Sequence, residues 1–329
     1  MNRFVTSLRC RVVCLGILAT VLAPGFSGSA AELPALRTND VVVLVGGSIL
    51  VAENNSGILE TALQLAHPGA GLRMRNLAKE GDTVFLRPRD VNYPDVAEQA
   101  RRARASVIVV QYGRSEALSG RARPAEFRAA YASLLDELAR VAPRLLLLTP
   151  PPFERAAPPL PDLTARNPIL AAYAEVIRGL ARERGLPLLD LAQTTRPAAA
   201  GEARRTVDGV QLSVAGERAV AASLLRGFGK VAVAEAVDAV DVGVWSDPRV
   251  RELQAAVVEK NRLWFGYVRP TNWAFLAGDR TEQLSSRDHR DPKIRWFPAE
   301  MEQFVPLIVE ADRRVAASIP APGQVPSLQ

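Results

Sequence analysis

The sequence predicts an α/β fold: a three-layer α/β/α sandwich around a five-stranded parallel sheet, followed by a mainly helical C-terminal extension. Two observations support this prediction. Short apolar runs, rich in valine, isoleucine and leucine, recur along the first two thirds of the chain, and such runs are typical of strands buried on both faces. Between them lie longer segments whose apolar residues repeat at helical spacing. Strands that alternate with helices form a parallel sheet joined by right-handed crossovers.

The individual elements can be assigned in order along the chain. The five predicted strands are Val41–Val45, Leu72–Leu77, Ser106–Gln111, Leu145–Leu148 and Leu188–Leu191. The predicted helices are Ile58–His67, Pro94–Arg104, Pro124–Val141, a segment from Asn167 to Gly185, and Ser213–Phe228. Within this set, Asn167 is expected to cap its helix and Gly185 to end it, because these residue types suit the two ends of a helix.

The first 31 residues are predicted to be a signal peptide rather than part of the fold. Arg3, Arg9 and Arg11 precede an apolar run over residues 12–26, and small residues follow, which is the pattern of a cleavable secretory signal. The apolar run is shorter than the roughly 20 residues that a membrane-spanning helix needs. The protein is therefore expected to be exported, periplasmic or secreted, with no stable membrane span after cleavage.

Composition limits the partners and cofactors that can be expected. Cleavage would remove both cysteines, Cys10 and Cys14, so no disulfide is expected in the exported protein. It would also remove three of the 41 basic residues and none of the 35 acidic ones, which leaves a net charge of +3. That mild charge, without an aromatic-interleaved basic stripe, argues against a nucleic-acid partner. No residue set has metal-ligand spacing or forms a glycine-rich phosphate motif, so no metal or other cofactor is expected.

Residues 230–329 are predicted to form an extension to the domain of residues 32–229. Two amphipathic helices are expected within it, Asp247–Arg262 and Pro298–Ala317. Nine of the 19 aromatic residues lie between positions 245 and 304, a density at odds with a disordered tail. We therefore expect the extension to pack on the domain and to bring Trp273 to the rim of its cleft.

Four short motifs follow the predicted strands or lie in loops that can reach the same edge of the sheet. They are Gly46-Gly47-Ser48, Arg75-Asn76-Leu77-Ala78-Lys79-Glu80-Gly81, Gly113-Arg114-Ser115-Glu116 and Asp208-Gly209-Val210-Gln211. Open parallel sheets bind their ligands outside the carboxyl ends of the strands. This shared location favours one site over a set of unrelated turns.

In order and position, the motifs resemble the sequence blocks of the SGNH (GDSL-type) hydrolases over about Val41 to Gly229. The resemblance implies a flavodoxin-like sheet and an ester hydrolase of the carbohydrate-ester-directed class. It makes Ser48 the nucleophile position and gives Gly81 and Ser115 the two oxyanion-binding positions. The aromatic-rich extension is similar to those of some secreted planctomycete members of the family.

Two of the family-defining groups differ in this chain. The family has an asparagine at the position of Ser115 and a histidine at the position of Gln211, and Asp208 would orient that histidine. An amide cannot accept the serine proton at neutral pH. A positioned base contributes roughly 10²–10⁴ in rate and an oxyanion donor about 10²–10³. Hydrolysis is therefore expected to be reduced or absent.

Two alternatives stay open at this stage. Ser48 can act as the nucleophile of an active esterase with a non-standard base, either Asp208 or His289. The plainer interpretations are a capping carboxylate for Asp208 and a surface histidine in a salt-bridged loop for His289. The other alternative is an interaction module that binds through the aromatic extension.

The expected ligand is a small molecule or a carbohydrate, possibly acylated. The candidate ligand contacts are Gly113, Glu116, His289 and Trp273. All four lie on the predicted strand ends or in the extension that is expected to border them.

Overall fold

The sheet has the predicted parallel architecture. The computed structural model describes residues 33, 35–89, 92–195, 197–198, 201–239, 245–271 and 273–321. The predicted signal peptide and both cysteines lie outside these residues. Five strands are described: β1 (Val41–Gly46), β2 (Arg73–Asn76), β3 (Val107–Gln111), β4 (Arg144–Leu148) and β5 (Leu188–Leu189). They pair in parallel in the order β2-β1-β3-β4-β5, which is the flavodoxin-like order. The predicted fold class is confirmed.

β1 shows why the sheet forms the middle layer. All six of its residues are buried. Val42 and Leu44 pack into the hydrophobic core on one face, whereas Val41, Val43 and Val45 pack into the core on the other. Successive side chains of a strand point to opposite faces. A continuous apolar run is therefore what a strand buried on both faces requires.

Helices cover both faces of the sheet. The described helices are α1 (Ser48–Val51), α2 (Glu53–Ser56), α3 (Ile58–Ala66), α4 (Val96–Arg102), α5 (Arg114–Ala117), α6 (Pro124–Ala139), α7 (Asn167–Arg184), α8 (Leu191–Thr194), α9 (Val214–Gly227), α10 (Val231–Asp238), α11 (Pro248–Val268), α12 (Trp296–Glu302) and α13 (Phe304–Ser318). α3, α9 and α10 contribute to the core on one face, and α4, α6 and α7 to the core on the other. In the described part of the chain, no helix is both long and apolar enough to cross a bilayer.

The C-terminal extension is mainly helical, as predicted, but its helices differ in detail. α11 runs to Val268 rather than to Arg262, because its buried face continues through Trp264 and Val268. The single helix predicted over Pro298–Ala317 is two helices, α12 and α13, which meet at Gln303. Pro306 explains the break: a proline inside a continuous helix clashes with the carbonyl four residues earlier, but it is tolerated in a first turn.

Asn167 does not cap α7 as predicted. It is the first residue of that helix, and its side chain instead accepts a hydrogen bond from the Phe153 N–H at 2.8 Å. The same amide donates to the Phe153 carbonyl at 3.0 Å. Asn167 therefore fixes the loop that follows β4.

The extension covers the exposed edge of the sheet. β2 is an edge strand, and the carbonyls of Met74 and Asn76 point away from β1. α11 supplies their donors: Lys260 Nζ donates to Met74 O at 3.1 Å, and Trp264 Nε1 donates to Asn76 O at 2.9 Å. Residues four apart share one face of a helix, so α11 lies along the strand with both donors directed at it.

The ammonium group of Lys260 is the centre of this contact. Lys260 is fully buried and lies 2.5 Å from the carboxylate of Glu60 on α3. It also donates to Asn261 Oδ1 at 2.6 Å. Burial raises the pKa of Glu60 and lowers the pKa of Lys260, and the attraction between the two groups opposes both shifts. Close by, Arg75 on β2 pairs with Asp312 on α13 at 2.5 Å.

We predict that Lys260→Met destabilises the protein by about 3–5 kcal/mol, the cost of leaving one partner of a buried ion pair uncompensated. Urea unfolding followed by circular dichroism would measure it. Lys293→Met is the matched control, since Lys293 is exposed and such changes stay within about 0.5 kcal/mol. Equal unfolding midpoints for the two variants would contradict the assigned role.

A second buried carboxyl group, that of Glu53 in α2, caps the start of α3. The cap position of this helix is Gly57, which has no side chain. Glu53 replaces it, since its two oxygens accept the N–H groups of Leu59 at 2.8 Å and Glu60 at 2.9 Å. Burial is the main cause that raises the pKa of Glu53 to about 8, and the nearby charges of Glu60 and Glu217 also raise it. The two hydrogen bonds lower this pKa but do not outweigh burial.

This pKa predicts a pH dependence of stability. Between the ordinary value of 4.5 and about 8, the folded protein keeps a proton on Glu53 that the unfolded chain has lost. Stability contributed by this group therefore falls as the pH rises through that window, by at most about 1.4 kcal/mol per pH unit. We expect Glu53→Gln to show a smaller loss of unfolding free energy from pH 5 to pH 8 than the wild type. Identical pH profiles for the variant and the wild type would contradict the assigned role of Glu53. Glu235→Gln serves as the control, because Glu235 is exposed.

Candidate functional site

Ser48 lies at the carboxyl end of β1, where it begins α1 and is half-buried. Gly46, the first of the two glycines before it, allows β1 and β3 to approach closely. A Cβ on Gly46 would lie 2.2 Å from the Gln111 carbonyl oxygen, a distance that no side chain tolerates. The N–H of Gly47 donates to the same oxygen at 3.4 Å. This contact holds the start of α1 against the end of β3.

Ser115 lies beside Ser48 because β3 is the neighbour of β1. A Cβ on Gly47 would lie 3.1 Å from Ser115 Oγ, so the hydroxyl group of Ser115 packs against the backbone that precedes Ser48. Gly113 turns the chain at the end of β3 with a φ of 111°. Glu116 then fastens this turn, since its buried carboxylate accepts the N–H of Gly113 at 2.7 Å and the N–H of Val84 at 2.8 Å. These contacts give Glu116 a structural role.

Gly81 lies in the turn after β2. It is exposed and has a φ of +77°, which favours glycine. The next residue, Asp82, lies beside the backbone that precedes Ser48: its carbonyl oxygen is 3.4 Å from the position that a Cβ on Gly47 would take. The Asp82 carboxylate is buried and paired with Arg89 through hydrogen bonds of 3.0 and 2.9 Å.

These strand ends enclose one narrow recess around the serine. It is lined by Gly47, Ser48, Asp82, Gln111, Tyr112, Arg114, Ser115 and Glu116. The structure thus brings Ser48 and Ser115 together, as the motif spacing predicts. Gly81 borders the recess through its neighbour Asp82 and does not line it.

The loop with Asp208 and Gln211 lies outside this lining. Asp208 Oδ1 accepts the N–H groups of Val210 at 2.8 Å and Gln211 at 2.6 Å, so this carboxylate stabilises its own turn. Gln211 is exposed. Its side chain makes no hydrogen bond to the residues that the structure describes.

Two residues that organise this loop were not recognised from the sequence. Glu154 accepts hydrogen bonds from the N–H of Thr206 at 2.8 Å and its hydroxyl at 2.7 Å, and from the N–H of Ala198 at 2.9 Å. Burial alone would raise the pKa of Glu154, but these donors outweigh it and the pKa is lowered. Arg114 is 3 % exposed and donates from Nη2 to the Gly209 carbonyl at 3.2 Å. An arginine in the turn after a buried strand, three residues beyond the end of β3, is the one sequence signal that points to it.

The extension residues predicted to contact a ligand lie away from the recess. His289 is exposed in the loop before α12 and is absent from the recess lining. Trp273 packs edge-on against Tyr93, with ring centres 5.7 Å apart. The ammonium of Lys79 lies 4.7 Å from the centre of the Trp273 ring. Trp273 therefore contacts the turn after β2 rather than the serine.

Comparison with known families agrees with this geometry. The profile of the GDSL-like Lipase/Acylhydrolase family matches residues 30–219, more than half of the chain and all four motifs. This chain belongs to the GDSL-like lipase/acylhydrolase family. Its fold accordingly places it in the hydrolase and esterase class. No curated protein matches the chain.

Three similar solved structures are from bacteria or environmental DNA. LAE5, an α/β hydrolase enzyme from the metagenome of Lake Arreo, Spain, is 18% identical, with 60% of this chain and 98% of that chain covered and a TM-score of 0.46. Axe2, an acetylxylan esterase from Geobacillus stearothermophilus, is 19% identical, with 60% and 97% covered and a TM-score of 0.46. A gut microbial diltiazem-metabolizing enzyme, BT4096, is 16% identical, with 61% and 49% covered and a TM-score of 0.44.

Proposed function

We propose that this protein is an exported member of the family that keeps the esterase fold but hydrolyses esters weakly or not at all, and that its ligand is a small acyl compound or a carbohydrate. The observation that carries the proposal is Gln211. In the family motif it stands where the histidine base is expected, it is exposed, and its amide cannot accept the serine proton at neutral pH. Export rests on the N-terminal sequence pattern.

Asp208 is a poor substitute for the missing base. Its Oδ1 already accepts two backbone N–H groups of its own turn. A general base must come within about 2.6–3.2 Å of the proton it removes. Asp208 does not line the recess around Ser48, so its carboxylate would have to move towards Ser48 to act as the base.

The oxyanion side of the site is also weakened. The Ser115 hydroxyl lies beside the backbone of Gly47 and can donate one hydrogen bond, but its side chain is shorter than asparagine. The losses of base and donor are not additive. Since the base alone contributes roughly 10²–10⁴ in rate, little Ser48-dependent turnover should remain.

We predict that the purified protein cleaves acetyl and nitrophenyl esters no faster than its Ser48→Ala variant, because the two carboxylates that line the recess with Ser48, those of Asp82 and Glu116, already bind Arg89 and backbone N–H groups. Steady-state hydrolysis at neutral pH, with both proteins at equal concentration, measures this. His289→Ala and Asp208→Asn are assayed in parallel as tests of the two alternative bases. A wild-type rate abolished by Ser48→Ala and by either of these variants would establish an active esterase instead.

A second candidate function, binding through the extension, is favoured by a separate cavity. This cavity has a volume of about 300 Å³ and lies between α4, α11 and α12. Tyr93, Trp264 and Tyr267 contribute aromatic surface to it, and Arg102, Arg295 and Glu302 contribute charge. Ligand sites combine an aromatic, largely apolar lining with a few placed polar groups, and their volumes begin at about 300 Å³.

We predict that a soluble oligosaccharide changes the tryptophan fluorescence of the protein, since Trp264 lines this cavity. Tyr267→Ala should weaken the fitted affinity about tenfold, equivalent to about 1.4 kcal/mol. Phe265→Ala is the control, because Phe265 lies on the same helix but outside the cavity lining. Titrations that are flat, or unaffected by Tyr267→Ala, would remove this candidate.

A further inference from the structure

Lys79 lies in the turn after β2, at the edge of the sheet where β1 also ends. Its backbone N–H donates to the Gly46 carbonyl at 3.0 Å, and its own carbonyl accepts the N–H of Asp82 at 3.3 Å. Gly46 is the last residue of β1, and Asp82 lines the recess around Ser48. The elements that form the candidate site therefore fix the backbone of Lys79.

An aromatic ring of the extension, rather than a carboxylate, contacts the amine of Lys79. Nζ lies 4.7 Å from the centre of the Trp273 ring, which is a cation–π distance. Tyr93 packs edge-on against this ring at 5.7 Å, and its hydroxyl donates to the Val268 carbonyl at 3.0 Å. The ring is thus held from a second side. Lys79 itself is half-buried, so its amine is partly open to solvent.

The carboxylates of this turn are already paired with arginines. Asp82 accepts two hydrogen bonds from Arg89, at 3.0 and 2.9 Å. Glu80 accepts one from Arg269 at 2.8 Å. Among the residues that the structure describes, none forms an ion pair with Lys79. Lys79 is therefore a cation that lies close to two arginines and lacks a carboxylate partner.

These surroundings favour the neutral amine. Burial is the main cause that lowers the pKa of Lys79 from 10.5 to about 8, and the positive charges of Arg89 and Arg269 lower it further. The charges of Asp82 and Glu80 oppose this change but do not outweigh it. Attraction to the aromatic ring favours the ammonium form by less than about tenfold in the protonation equilibrium, which is too little to restore the ordinary pKa.

We propose that Lys79 is an acyl-acceptor site, a modification site whose amine takes the acyl group from reactive acyl donors such as aryl esters and acyl phosphates. The lone pair of the neutral amine attacks the acyl carbonyl carbon and forms a C–N bond. The C–O bond to the leaving group breaks, the leaving group departs with the bonding electrons, and the nitrogen releases one proton to solvent.

The product is a neutral amide, so each protein molecule accepts one acyl group at this site and does not turn over. Acylation removes a positive charge that no carboxylate pairs with among the described residues. The reaction does not involve Ser48. It therefore goes beyond the proposed function and holds whether or not the serine is active.

Competition between lysines of the same molecule tests the proposal. The chain has four lysines, at positions 79, 230, 260 and 293. Lys293 is exposed and serves as the internal reference. The Ser48→Ala protein is treated with a low concentration of nitrophenyl acetate, so that the serine takes no part. Peptide mass spectrometry then measures how fast each lysine is acetylated.

We expect Lys79 to be acetylated at least about tenfold faster than Lys293 at pH 7.5, because a much larger fraction of its amine is neutral at that pH. The preference should fall towards one at pH 10, where ordinary lysines also lose their proton. It should disappear at pH 7.5 in guanidinium chloride, because it depends on the folded surroundings of Lys79.

Equal rates for Lys79 and Lys293 at pH 7.5 in the folded protein would overturn the proposal. A preference that persisted unchanged at pH 10 or in the unfolded chain would overturn it as well, because the neutral amine in its folded surroundings would then not be the cause.

Substitution of the amine provides the second test. Lys79→Arg keeps the positive charge and removes the primary amine, and Lys293→Arg is the matched control. In the Ser48→Ala background, Lys79→Arg should lower the rapid release of nitrophenol by about one equivalent per protein, whereas Lys293→Arg should leave it unchanged. Equal release from both variants would overturn the proposal. The proposed function is tested by turnover that depends on Ser48, so the two can fail separately.

Discussion

The buried ammonium of Lys260 is the interaction on which the C-terminal third of the structure depends. It binds a carboxylate on α3, a carbonyl of β2 and a side-chain amide of α11. A cation without water is costly unless each of its donors is satisfied. These three elements therefore have one compatible arrangement, and α11 must lie along β2 at the register that Lys260 sets. Trp264 then meets the next outward carbonyl of the strand.

The candidate site follows from the order of the strands in the sheet. β1 and β3 are adjacent, so Ser48 and Ser115, which follow their ends, are necessarily neighbours. The buried carboxylates around them, on Asp82 and Glu116, are already satisfied by Arg89 and by backbone N–H groups. Both carboxylates therefore hold turns in this protein.

Much of the fold and of the candidate site could be predicted from the sequence. The remaining features could not be predicted, for physical reasons. β1, β3 and β4 were recognisable because their apolar runs are buried almost throughout, and the meeting of Ser48 and Ser115 followed from their positions after neighbouring strands. The orientation of Arg114 could not be predicted, because spacing along a chain does not fix the direction of a side chain. The partners of Glu154 and Lys260 are distant in sequence, up to 200 residues for Lys260 and Glu60. The break at Gln303 was open to prediction, since Pro306 alone accounts for it.

The way α11 covers β2 has a consequence for the behaviour of the protein in concentrated solution. An uncovered edge strand is a template on which a second molecule can add a strand, and proteins avoid this by covering edges or keeping them short. Here one edge is occupied by the side chains of α11, and the other, β5, has only two residues. Neither offers a run of free backbone groups. The extension thus protects the sheet against polymerisation. A shortened chain that ended before α11 would lose a segment and would also expose an edge strand with which a second molecule can pair.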